Sequence, residues 1–202
     1  MSADTTPPSS TRKSFVFHSC SLNYLLLSSC ISLFRILFKP VRALLGGRVR
    51  FMLTGGAPLA AETHRYLRAA LCCPLLQGYG LTETCSGTTI MDVDDKSTGL
   101  TGAPLTCCDI KLVNWEEGNY RVKDRPYPRG EIHVGGANVV VGYYKQPGKT
   151  KEDFYEEDGK RWFRTGDIGQ FHTEGVLQVG ITRIETPYRT IAYSNAVALC
   201  IY

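Results

Sequence analysis

Apolar and polar residues alternate through "GGRVRFMLTGG", where Val49, Phe51 and Leu53 stand against Arg48, Arg50 and Met52 and the run stops on Gly55-Gly56. That period predicts a strand ended by a glycine turn. After Pro58, the residues Leu59, Thr63, Tyr66, Leu67, Ala70 and Leu71 share one helical face, and Cys72-Cys73-Pro74 ends the helix before the apolar pair Leu75-Leu76. His64 and Arg65 fall on the polar, solvent side. Strand, loop, helix, strand predicts a parallel sheet whose ligands bind beyond the carboxyl ends of the strands, where both "TGGAP" (54–58) and "QGYGLTE" (77–83) lie.

After about Lys111 the rhythm changes to short strands and turns: "DIKLVNW", "NYRVKD", "RGEIHVGG", "NVVVGYY", "DIGQFH", the turn "TEG", and "VLQV". This half reads as antiparallel, with Trp162 and Phe163 in its core and His133 and His172 as strand or turn residues. The fold class is therefore α/β: a parallel-sheet part, residues 38–110, and a smaller antiparallel β part, residues 111–179, joined near "TGAPLTCCDIKL". Residues 1–37 form a separate N-terminal segment, polar and Pro-rich at first and then apolar; residues 180–202 carry no convincing period. Ser14 to Phe34 holds no Lys, Arg, Asp or Glu and is about the length of a bilayer crossing, but His18, Asn23 and several serines interrupt it. A marginal membrane anchor and an N-terminus with no fold of its own both fit that run.

Composition narrows little. The 202 residues carry a formal charge of +4, spread without a basic stripe, which disfavours nucleic acid as a partner. Eight cysteines include no C-x-x-C and match neither a zinc site nor a secreted disulfide framework, so they read as reduced, mostly buried thiols.

The chemistry concentrates in "QGYGLTETCSGTTIMD", residues 77–92. A nucleotide polyphosphate needs backbone that can approach closely, hydroxyl donors and hard oxygen ligands for Mg²⁺. Gly78 and Gly80 flank Tyr79, whose ring can lie on a purine; Thr82 can donate to phosphate and Glu83 can hold magnesium. Taken alone, the stretch is equally a tight turn with an exposed glutamate. The nearby Ser86-Gly87-Thr88-Thr89 lacks the glycine and lysine of a phosphate loop and leads into Ile90 and Met91, so it reads as a strand.

Two further segments, "RGEIHVGGANVVVGYYKQP" (129–147) and "RWFRTGDIGQFHTEG" (161–175), follow "TGGAP" and "QGYGLTET" in an order that resembles the adenylate-forming superfamily, over roughly Phe38 to Val179. Within it, "VRALLGGRVRFMLTGGAPL", "CCPLLQGYGLTET", "NWEEGNY" and "RWFRTGDIGQFH" look most like eukaryotic long-chain fatty-acid CoA ligases. The resemblance implies that a fatty carboxylate attacks the α-phosphorus of ATP and that coenzyme A then captures the acyl-adenylate. It implies Glu83 as magnesium ligand, Thr82 as phosphate contact, Tyr79 as adenine platform between Gly78 and Gly80, Gly56 and Ala57 beside the adenine, and Asp167 as acceptor for both ribose hydroxyls. It also implies ATP, a long-chain fatty acid and a membrane as partners, at the cytosolic face of the endoplasmic reticulum, a lipid droplet or the mitochondrial outer membrane.

The family's Ser/Thr/Gly-rich phosphate loop, most of its fatty-acid tunnel and its C-terminal lysine find no counterpart, and Arg183 lacks the Asp and Lys neighbours of the family's second ribose contact. The resemblance is thus to a ligase truncated at both ends, whose chain alone is expected to be inactive. Two other readings stay open: a membrane-anchored, non-catalytic nucleotide-binding or interaction module, with docking on a full-length partner undecided, and another adenylate-forming ligase.

Overall fold

The computed structural model describes residues 33–182. The features expected over residues 1–32 and 183–202 lie outside the described residues, including all but Leu33 and Phe34 of the apolar run. Among the described residues no helix is long and apolar enough to cross a membrane.

Residues 33–37 are helical and lead into α1 (Lys39–Leu44), followed by β1 (Met52–Thr54), α2 (Ala61–Leu71) and β2 (Leu75–Tyr79). A 3₁₀ turn (Thr82–Thr84), β3 (Thr89–Ile90) and β4 (Ala103–Pro104) complete a four-stranded sheet in the order β1-β2-β3-β4. The expected parallel pairing is present between β1 and β2, with Met52 opposite Leu75 and Thr54 opposite Gln77, whereas β3 and β4 join antiparallel.

The phase of β1 differs from the expectation. Met52 and Thr54 are buried while Leu53 is half-buried, and the strand is three residues long. The buried face is that of Met52 and Thr54, and the exposed arginines at 48 and 50 lie on the approach to the strand and not on its outer face. The helix face is also rotated. His64 and Ala70 are the buried residues of α2 and Tyr66 is exposed. His64 is therefore not solvated: its Nε2 lies 2.7 Å from the carbonyl of Leu75, and Arg68 donates to the same oxygen and to the carbonyls of Asp95 and Ser97. The His64 imidazole and the Arg68 guanidinium thus fasten α2 to β2 and to the loop after β3.

The second sheet contains β5 (Cys108–Val113), β6 (Arg129–Gly136), β7 (Phe154–Glu157), β8 (Lys160–Phe171) and β9 (Leu177–Thr182), all antiparallel, with the short helix α3 (Pro147–Asp153) before β7. Strand β8 pairs with β6, β7 and β9. Its Phe163 is fully buried with Ile132 and Val134 of β6, Phe154 of β7 and Leu177 of β9, and the Phe154 and Phe163 ring centres are 4.9 Å apart. The β6 and β8 expectations hold. "NYRVKD" forms no strand: Trp115 and Tyr120 bridge and stack across a turn in which Asn119 is left-handed. "NVVVGYY" is a loop, because Val139 turns into the core while Val141 points to solvent. The β7–β8 hairpin, with Asp158 at φ 54° and Gly159 at φ 71°, uses an Asp-Gly turn. Of the described cysteines, Cys73 and Cys108 are buried but Cys85 and Cys107 are exposed, which corrects the expectation of mostly buried thiols.

The two sheets are tied where β9 meets the segment before β4. Leu177 N–H donates to Gly102 O (2.9 Å), and Thr101 donates to Leu177 O through both its backbone N–H (2.8 Å) and its hydroxyl (2.9 Å). Gly102 sits at φ +87°, and a Cβ there would meet the carbonyl of Ile90 at 1.9 Å, so no other residue fits this crossing.

Burial lowers the His64 imidazole below its ordinary value near 6.5, against the opposing pull of the Leu75 carbonyl. Below that ordinary value the unfolded chain binds a proton that the native ring refuses, so stability is level above it and falls as pH drops through it. The urea midpoint is expected to fall between about pH 7.5 and about pH 5.5 by more in the native chain than in His64→Gln; equal falls would mean that His64 is not held neutral.

Candidate nucleotide site

The candidate residues lie at the carboxyl ends of β1 and β2 and on β8. The turn after β1 carries Gly56, at φ +79° and exposed, and Ala57, half-buried; a Cβ on Gly55 would lie 3.2 Å from the carbonyl of Gly78, so the two strand ends run in close contact. Gly80 is constrained more tightly, since a Cβ there would meet Ser86 O at 2.3 Å. The chain can fold back at this point only without a side chain. The 3₁₀ turn that follows leaves Thr82 exposed and Glu83 half-buried, while Thr84 is fully buried.

Thr84 closes the turn. Its hydroxyl accepts from Leu81 N–H (3.0 Å) and from the Thr88 hydroxyl (2.9 Å), and donates to Leu81 O (3.1 Å). The loop after β6 braces the outside: Asn138 Nδ2 donates to Thr84 O (3.2 Å) and Gly87 O (2.7 Å), and Val140 N–H donates to Glu83 O (3.0 Å). The two motifs therefore interlock.

Asp167 sits where β8 is irregular. The register of β8 against β6 slips between Glu131 and His133, and against β9 between Asp167 and Gly169. Such a bulge re-aims a side chain and leaves backbone groups to be satisfied. Here side chains satisfy them: Gly166 N–H donates to Glu131 Oε1 (3.1 Å), Asp167 N–H donates to Thr165 Oγ1 (3.0 Å), and that hydroxyl donates to Ile132 O (2.8 Å). Gly166 takes φ +70° in the bulge.

The carboxylate so aimed meets the other motif. Tyr79 hydroxyl donates to Asp167 Oδ2 at 2.7 Å across 88 positions of sequence, with Asp167 only 4% exposed. The aromatic ring and the buried carboxylate assigned to adenine and ribose are thus brought together. An ionised carboxylate has about four acceptor sites, so Asp167 can hold Tyr79 and still accept from a vicinal diol.

Glu83 has a partner that the sequence reading did not single out. Tyr143 hydroxyl lies 2.8 Å from Glu83 Oε1 and 3.1 Å from Asp153 Oδ2, and Lys149 lies 3.3 Å from Asp153 Oδ2. Burial, followed by the Glu83 and Asp153 carboxylates, pushes the Tyr143 phenol far above its ordinary range, so it is a hydrogen-bond donor at any physiological pH. Both Asn138 and Tyr143 lie within "RGEIHVGGANVVVGYYKQP" (129–147). Their roles needed the loop geometry, which an apolar "NVVV" disguised as a strand.

A cleft of about 670 Å³ adjoins this loop, lined by Tyr143, Tyr144, Lys151, Tyr155 and Arg161 among others. It shares Tyr143 with the site, but Tyr79, Thr82, Glu83 and Asp167 do not line it.

The family model described as "AMP-binding enzyme" matches residues 18–144, which include Tyr79, Thr82, Glu83 and Tyr143 and end before Asp167. The chain is 52% identical over 145 residues to Long chain acyl-CoA synthetase 8 of Arabidopsis thaliana, covering 71% of this chain and 20% of that protein. It is 45% identical over 145 residues to Fatty acyl-CoA synthetase A of Dictyostelium discoideum, covering 72% and 21%. Among solved structures, O-succinylbenzoate coenzyme A synthetase from Bacillus subtilis, in complex with ATP and magnesium ion, superposes with a TM-score of 0.54 at 32% identity, covering 66% of this chain and 26% of that one. The chain spans about a fifth of the length of the curated relatives it matches.

If Asn138 holds the turn, Asn138→Ala leaves Gly87 O without its donor and Thr84 O with only the Gly87 N–H at 3.3 Å, and costs about 1–2 kcal/mol. Hydrogen exchange at the Thr84 and Gly87 amides is expected to accelerate selectively; unchanged exchange there would remove the bracing role.

Proposed function

The chain belongs to the AMP-binding enzyme family, and from that premise we propose that its described residues form the adenosine and phosphate face of a long-chain fatty-acid CoA ligase. In that reaction a carboxylate oxygen bonds to the α-phosphorus of ATP as the bond to the bridging oxygen breaks and pyrophosphate leaves. The thiol of coenzyme A then displaces AMP. The observation that carries the reading is the 2.7 Å hydrogen bond from Tyr79 to Asp167, which joins the two motifs at one place.

The work of each residue follows from its position. Asp167 accepts from the ribose hydroxyls, and its bond to Tyr79 fixes the tyrosine ring as the surface on which adenine lies. Gly56, Ala57 and Gly78 border that surface with backbone and small groups, so a flat base can come close. Gly80 lets the chain reverse toward the phosphates. The exposed Thr82 hydroxyl donates to a phosphate oxygen, and alignment of carboxylate and α-phosphorus supplies much of the rate.

The residues present fit a magnesium ion. Mg²⁺ takes one or two protein carboxylates and completes its shell with phosphate oxygens and water. Glu83 supplies one carboxylate, Tyr143 engages its Oε1, and the other oxygen remains for the ion. When bound, the ion screens the charge that gathers on pyrophosphate. Coenzyme A is the third substrate of the proposed reaction, and no residue described above is assigned to it. The fatty-acyl preference rests on the named relatives, Long chain acyl-CoA synthetase 8 above all.

The purified chain is expected to bind AMP in a calorimetric titration, and Asp167→Ala to weaken binding at least about tenfold through loss of a charged hydrogen-bond acceptor. Tyr79→Phe, which keeps the ring, is expected to fall between the two. AMP affinity indifferent to Asp167→Ala in a folded protein would overturn the assignment.

A further inference from the structure

Tyr143 carries one hydroxyl hydrogen and faces two carboxylates, 2.8 Å from Glu83 Oε1 and 3.1 Å from Asp153 Oδ2. Only one of them can receive it. Asp153 has a second source of positive charge, since Lys149, one turn earlier on α3, places Nζ 3.3 Å from the same Oδ2. Glu83 shows no comparable cation: its ion-pair partners are absent among the described residues, and its Oε1 contact is the phenol.

The phenol is itself held from three sides. Its ring packs edge-on against Phe154, with ring centres 5.4 Å apart. Its backbone N–H donates to Thr150 Oγ1 at 2.9 Å, on the same helix as Asp153 and Lys149. Gly142, at φ +143°, leaves no room for a Cβ, which would sit 2.3 Å from the Thr150 methyl. The hydroxyl position is therefore set by α3 and the core, independently of Glu83.

Resting on the nucleotide reading above, we propose that Tyr143 is a positioning residue for magnesium–nucleotide binding, and that Lys149 and Asp153 keep its hydrogen directed at Glu83. Lys149 neutralises Asp153, so the hydrogen stays on Glu83 Oε1. That bond fixes the glutamate rotamer and leaves the other oxygen to the cation, in the way that a hydrogen-bonded outer partner orients a metal ligand. Without Lys149, Asp153 becomes the stronger acceptor and draws the hydrogen away from Glu83. Nothing in the arrangement bears on adenosine, which is held by Tyr79 and Asp167.

The test separates the two parts of the site. AMP binding to the full chain is measured in EDTA, and ATP binding is measured as Mg²⁺ is titrated. Tyr143→Phe retains the ring on Phe154. It is expected to leave AMP affinity within about twofold and to raise the Mg²⁺ concentration for half-maximal ATP binding about tenfold, the scale of lost outer-shell support. Lys149→Met, at an exposed position, is expected to raise that midpoint in the same direction, and adding Asp153→Asn to Lys149→Met to restore it, since the competing acceptor loses its charge. An unchanged Mg²⁺ midpoint in Tyr143→Phe overturns the proposal. Equal losses for AMP and for magnesium–ATP overturn it too, because they assign Tyr143 to packing alone, and so does failure of Asp153→Asn to rescue Lys149→Met. A native chain that binds no AMP in EDTA fails at the earlier step and defeats the nucleotide reading itself.

Discussion

Two sheets of different construction must meet at one edge, and the Tyr79–Asp167 hydrogen bond stands at that meeting point. A buried carboxylate is stable only when hydrogen-bonded, so the bond from Tyr79 to Asp167 helps to fix where the end of β2 lies relative to β8. The other links across the boundary share that logic. Thr101 and Gly102 exchange hydrogen bonds with Leu177, Val140 donates to Glu83, and Asn138 donates to two carbonyls of the Thr82–Gly87 turn. Most of these links are polar and directional, so they define an orientation as well as an association.

The irregularities of the antiparallel sheet serve that boundary. A regular β8 would send alternate side chains to opposite faces through Asp167; the bulge at Thr165–Asp167 breaks the alternation, and Glu131 and Thr165 fill the hydrogen-bonding demand that the break creates. Phe163, two residues before the bulge, anchors the regular half of the strand in the core. Rigid packing on one side and a satisfied irregularity on the other fix the Asp167 carboxylate against the Tyr79 hydroxyl.

Much of this was legible in the sequence, and the failures share a cause. β6 and the TEG turn before β9 follow from period-two patterning and turn chemistry, since an antiparallel strand with one dry face writes its alternation directly. β1 and α2 differ from their patterns because the buried face is set by neighbours and not by residue type: Met52 and Thr54 replaced Leu53 as the inward positions, and His64, polar by type, filled the core by bonding to the Leu75 carbonyl. The "NVVVGYY" segment reads as a strand by composition, yet Val139 plugs the core while Val140 and Asn138 hold the neighbouring turn. The glycines, Tyr79, Glu83 and Asp167 could be named from motifs; the partnership of Tyr143 with Glu83 could not, because it joins two loops 60 residues apart.

The central claim is that the end of β2 and the bulge of β8 make one nucleotide-binding surface. The most direct test is to follow backbone amide NMR resonances of the isotopically labelled chain as AMP is added. The account predicts concerted shifts at Gly78–Glu83 and Gly166–Ile168, with Tyr144, Lys151 and Arg161 of the adjoining cleft little changed. Shifts confined to that cleft, with both motifs silent, would contradict it.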